Sequence, residues 1–85
     1  MTNTNIILQL HITSLYGEIV DLVLEETIEV PQGMVIRSYK TTMITLNGNG
    51  SSRFTPLFTT YDEKLAKGMI NIIAENIKKY DCIIK

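Results

Sequence analysis

The spacing of apolar residues changes once along this chain, at Tyr61. Before it, apolar and polar residues mostly alternate; after it, apolar residues return every three or four positions. The first period belongs to strands and the second to a helix. Strands followed by one helix predict an α+β domain: an antiparallel sheet with a C-terminal amphipathic helix packed on one face.

Residues 5–13 read as the first strand. Ile6, Leu8, Leu10 and Ile12 fall on one face, and Ile7, Gln9, His11 and Thr13 on the other. Ser14-Leu15-Tyr16-Gly17 is a turn signal, with Gly17 free to take positive φ. Residues 18–30 fit two periods. As a strand, Val20, Leu22, Leu24, Ile28 and Val30 share a face broken only by Glu26; as a helix, Glu18, Asp21, Glu25 and Glu29 cluster on one side. The β-branched content and the following Pro31-Gln32-Gly33 favour the strand, closed by a type I turn with proline second and glycine fourth. If residues 15–26 are helical instead, the order becomes βαββαβ, a ferredoxin-like arrangement.

Residues 34–46 form the third strand, and Asn47-Gly48 within the polar run that follows is a strong hairpin signal. Residues 53–60 form the fourth, which Pro56 confines to a sheet edge or a late start because proline donates no ladder bond. Thr60 and Glu63 fit a capping box. From there Leu65, Ala66, Met69, Ile70, Ile72, Ile73, Ile77 and Tyr80 form one broad stripe, opposite Lys64, Lys67, Asn71, Glu75 and Lys78. Cys82, Ile83 and Ile84 allow a short terminal strand. The expected order is therefore ββββα over a single domain, residues 1–85.

Size sharpens this picture. At 85 residues the core is thin, and small domains commonly supplement it with disulfides, metal or self-association. One cysteine, Cys82, excludes a disulfide within the chain, and one histidine with one cysteine cannot build a usual zinc site. No metal and no cofactor are expected. A hydrophobic content of 45% leaves self-association, so a homo-oligomer, a dimer or higher, is expected. The N-terminus lacks the basic region of a signal peptide, and no run approaches the roughly 20 apolar residues of a membrane span. With the lone cysteine, this predicts a cytoplasmic protein without membrane partners.

Charge is divided unevenly. The first 36 residues hold five acids and no Lys or Arg; the remainder holds all eight bases and four acids. Such a split can steer association with a protein, whereas a net charge of −1 argues against nucleic acid.

Three groups of residues are candidate sites. Gly48, Asn49, Gly50, Ser51, Ser52 and Arg53 can direct backbone amides, hydroxyls and a guanidinium at one anion, although the loop is neither a P-loop nor a dinucleotide fingerprint. The bland reading is a hairpin tip. Asp21, Glu25 and Glu29 line one strand face and suit a basic protein surface; the bland reading is a solvated face. His11, Arg37 and Tyr39 can meet a ligand together if their faces adjoin. His11 alone specifies nothing, Cys82 beside Asp81 near a helix C-terminus is a poor thiolate, and the serines have no base but His11. No catalytic residue is assigned.

The sequence therefore points to a small non-enzymatic protein acting by occupancy. An inhibitor or adaptor docking on a larger protein is the expected type, as in the accessory proteins of phages and mobile elements. The alternative is a small-molecule binder that sequesters a phosphate-bearing ligand, such as a nucleotide, through the glycine-rich loop and Arg53.

Overall fold

The computed structural model describes residues 2–14, 17–46 and 50–79. The elements are β1 (Thr2–Thr13), β2 (Ile19–Glu29), β3 (Ile36–Leu46), β4 (Ser52–Thr60) and α1 (Glu63–Lys79). The four strands form one antiparallel sheet in the order β1-β2-β3-β4, and α1 packs on one face. This is the ββββα arrangement expected from the two periods. The short terminal strand expected within residues 81–85 lies outside the described residues.

The ambiguous stretch 18–30 is strand, so the ferredoxin-like alternative is not realised. β2 lies between β1 and β3, and alternation sends Val20, Leu22 and Leu24 toward the helix. All three are fully buried, against Ala66, Ile70, Ala74 and Ile77 of α1. Burying each Leu or Ile contributes about 1.5–3 kcal/mol. Ala66 and Ala74 leave room for the helix to sit close to the strands.

Two bulges change which residues meet the helix. In β1, Leu8 pairs with Leu24 while Ile6 pairs with Glu25, leaving Ile7 as the extra residue. Directly paired residues share a face, so Leu8, Leu10 and Ile12 lie under the helix but Ile6 is turned away. Ile7 packs on the core and Ile6 is 61% exposed, the reverse of simple alternation. In β4, Phe58 pairs with Thr41 and Pro56 with Thr42, so Leu57 is extra and also turns to the core. β4 is an edge strand, as Pro56 requires.

The β2–β3 connection also departs from expectation. Gln32 has φ 52° and Gly33 φ 79°, and the Met34 amide donates to the Pro31 carbonyl. Two central residues of positive φ describe a I′-type turn across Pro31–Met34, whose twist matches hairpin strands better than type I. Beyond Tyr39, which pairs with Thr60, β3 has no β4 partner. No residue between 25 and 38 belongs to the core cluster, so this hairpin extends past the helix-covered part of the sheet.

The helix starts later than the capping box proposed. The Asp62 carboxylate accepts from the Leu65 amide at 3.2 Å, which makes Asp62 the N-cap. Thr60 Oγ1 instead accepts from the Asp62 amide at 3.3 Å and shapes the approach. Glu63–Lys67 and Glu75–Lys79 pair at i,i+4 along the exposed side.

Two stability measurements test this packing. Asp62→Ala is expected to cost about 1 kcal/mol in urea unfolding, and Thr60→Ala clearly less; equal costs would restore Thr60 as the cap. Thr41 is completely buried, and its Oγ1 finds no hydrogen-bond partner among the described residues. Thr41→Val keeps the shape and removes the stranded hydroxyl, so it is expected to raise stability by about 1 kcal/mol. A loss would mean that the hydroxyl is satisfied.

Candidate binding surfaces

The described residues supply one α-helix for two sheet faces, so among them one face stays open. The register orders its side chains in rows across the strands. His11, Asp21, Ile44 and Phe54 form one row; Gln9, Val23, Thr42 and Pro56 the next; Ile6, Glu25, Lys40 and Thr59 a third. Ile19 and Leu46 lie on the same face at one end. Phe54 is 66% exposed, and Ile19 and Leu46 are exposed too, while Val23 in the middle is only 6% exposed. This face is therefore apolar toward Ile19, Leu46 and Phe54 and charged toward Glu25, Lys40 and Glu29.

Asp21, Glu25 and Glu29 do line up on this face of β2, but they are not equivalent. Asp21 Oδ1 is hydrogen-bonded to His11 Nδ1 on β1. Glu25 lies directly opposite Lys40 on β3. Glu29 sits at the hairpin end, between Thr2 and Ile36. Only Glu25 has a Lys or Arg opposite it within the sheet, so the three carboxylates present unequal local potential.

His11 does not meet Arg37 or Tyr39. Tyr39 pairs with Glu26 and Arg37 with Ile28, on the helix-bearing side of the sheet. Tyr39 is buried there, and its hydroxyl donates to Glu26 Oε2 at 2.9 Å. Burial is the main cause that raises its pKa, followed by the hydrogen bond to Glu26 and the negative charges of Glu26 and Glu63, with Arg37 opposing. A neutral phenol tied to a carboxylate can anchor the sheet where the helix begins.

The glycine-rich loop is described only in part: Asn47, Gly48 and Asn49 lie outside the described residues. Gly50 has φ 86°, which favours glycine. Ser52 pairs with Leu46 and Arg53 with Thr45, so Arg53 belongs to the helix-bearing side and is exposed.

A cleft that spacing alone did not reveal lies between α1 and β4. Its volume is about 280 Å³, with Met43 in its lining, Leu57 and Phe58 from β4, and Met69, Ile73 and Ile77 from α1. Among the described residues Asn76 is the one polar side chain lining it. A shallower groove continues along α1 past Met69 to Leu65 and Ile72, which are 51% and 62% exposed. The available signal was the width of the helical stripe. Leu65, Met69 and Ile72 extend it further round the helix than one sheet face covers. Leu57, turned inward by the bulge, gave no such signal.

Among the described residues no group of three or more His, Cys, Asp or Glu could hold a metal, and no helix is long and apolar enough to cross a membrane.

Tyr39 carries the pH test. The unfolded chain releases the phenolic proton near the ordinary value of 10.0 and the folded chain only at higher pH. The folded state then binds more protons, so stability falls as pH rises above about 10 and is unaffected by this group below about 9. Compared with Tyr39→Phe across alkaline pH, the native chain is expected to show the steeper loss; parallel curves would place the phenol in water. In comparisons with known proteins, no family model, curated protein or solved structure matches this chain.

Proposed function

We propose that this protein is a non-enzymatic binding module that acts by occupancy, as an inhibitor or adaptor docking on a larger protein, and that it self-associates. The observation that carries the docking is the apolar cleft between α1 and β4. Its size suits a bulky apolar side chain of a partner, and such anchors in pockets dominate most protein interfaces. The exposed Leu65 and Ile72 extend the apolar surface beyond the cleft, giving a partner more to cover. β4 adds a second attraction, because an edge strand offers unpaired backbone groups to an incoming extended segment.

Chemistry supports binding over catalysis. Among the described residues the cleft presents Asn76 as its only polar side chain, and neither His11 nor Arg53 lines it. A phosphate-bearing ligand would find little there to hold its charge. Self-association is supported by the thin core of an 85-residue chain and by the apolar end of the open sheet face.

A photo-crosslinking residue at position 72, introduced in cells that produce the protein, tests the docking. The expected product is an adduct with one larger protein, lost when Asn76→Trp fills the cleft. Asn76 is exposed, so that change leaves the fold intact. Adducts only between copies of this chain, or a heterologous adduct unaffected by Asn76→Trp, would overturn the reading.

A further inference from the structure

We propose that the open sheet face is the self-association surface, and that its occupant is the same face of a second copy, stacked about a two-fold axis parallel to the strands between β2 and β3. The inference rests on the self-association half of the proposed function and supplies its geometry.

Most of the exposed large apolar side chains of this face gather at one end, with Ile6 exposed in the Glu25–Lys40 row. Ile19, Leu46 and Phe54 are exposed on the side of the sheet that the helix does not reach, at the same end as half-buried Ile44. A two-fold axis running along the strands keeps the ends aligned, so Ile19 meets Leu46 of the second copy, and Phe54 covers the hydrogen-bonded His11–Asp21 pair of the second copy beside its own Ile44. An axis across the strands would lay the apolar end over the charged one. Isologous contact requires such self-complementarity.

The charged row gives the second argument. The axis places β2 of one copy over β3 of the other, so Glu25 faces Lys40 of the second copy and Lys40 faces its Glu25. Both residues stand in one row on the central strands, next to the axis. Stacked sheets rotate by about 30°, and positions beside the axis are displaced least by that rotation. Asp21 enters the interface already hydrogen-bonded to His11, so no lone carboxylate is stranded. Glu29, at the hairpin end, stays at the rim.

Area is sufficient. The molecule is a slab of 48 × 27 × 16 Å, and its broad side is the sheet. A standard interface needs about 800 Å² per partner, which a face of that extent can supply.

Charge exchange provides the test. The molecular mass of the intact protein, Phe54→Glu, Lys40→Glu, Glu25→Lys and Ile72→Glu is measured by sedimentation equilibrium over about 1–100 µM, because dimer content depends on concentration. The intact protein and Ile72→Glu are expected to be dimeric, Phe54→Glu monomeric, and each charge variant at least tenfold weaker in self-association. An equimolar mixture of Lys40→Glu and Glu25→Lys is expected to recover the dimer as a heterodimer. Within each of these chains the Glu25–Lys40 neighbours remain like-charged, so recovery can come only from the contact between copies. Unchanged circular dichroism confirms that the variants fold. A dimer insensitive to Phe54→Glu, or no recovery on mixing, overturns this interface and leaves self-association standing. A monomeric intact protein overturns both, and leaves docking at the cleft to the crosslinking experiment.

Discussion

The seating of α1 on the middle of the sheet is the contact on which the other features depend. Val20, Leu22 and Leu24 are completely buried on one side of β2, and they are matched by Ala66, Ile70, Ala74 and Ile77. A sheet has two faces, and the described chain provides one helix. Once the helix covers one face, the other must be polar, shielded by neighbouring side chains, or covered by another molecule. Part of it meets the first two conditions, through His11–Asp21 and through Val23. Ile19, Leu46 and Phe54 meet neither.

The two bulges are the means by which a short chain fits this contact. Each inserts one residue into an edge strand, in β1 at Ile7 and in β4 at Leu57, and each inserted side chain packs on the core. A bulge also strengthens local twist, which helps the edges wrap toward a single central helix. The same insertion turns Ile6 outward and brings Leu57 to the wall of the cleft. The candidate surfaces are therefore consequences of how the core was filled, and they occupy different sides of the molecule: the sheet face on one side, the α1–β4 cleft on the other. Occupation of one need not exclude occupation of the other.

Small size gives these surfaces their weight. A thin core leaves a margin of only a few kcal/mol, so apolar groups left in water at Phe54 or Ile72 bring the fold little. Glu25 and Lys40 stand opposite each other across β2 and β3, so the row carries both signs of charge.

Much of the architecture was legible in the residues themselves, because it depends on period. Alternation to residue 60 and the threefold–fourfold recurrence after it are local, and backbone geometry converts each directly into strand or helix. Pro56 marked an edge, and the acid-rich start of the helix marked its cap to within two residues. Register and bulges were not legible, because one extra residue in a strand is repaid only by a neighbour distant in sequence. Hence Ile6 and Ile7 exchanged faces, His11 separated from Arg37 and Tyr39, and within the acidic row Asp21 acquired His11 as a hydrogen-bond partner and Glu25 came to stand opposite Lys40. The cleft lay beyond local reading for the same reason: its walls come from β3, β4 and α1, and only their packing brings Met43, Leu57 and Ile73 around one space.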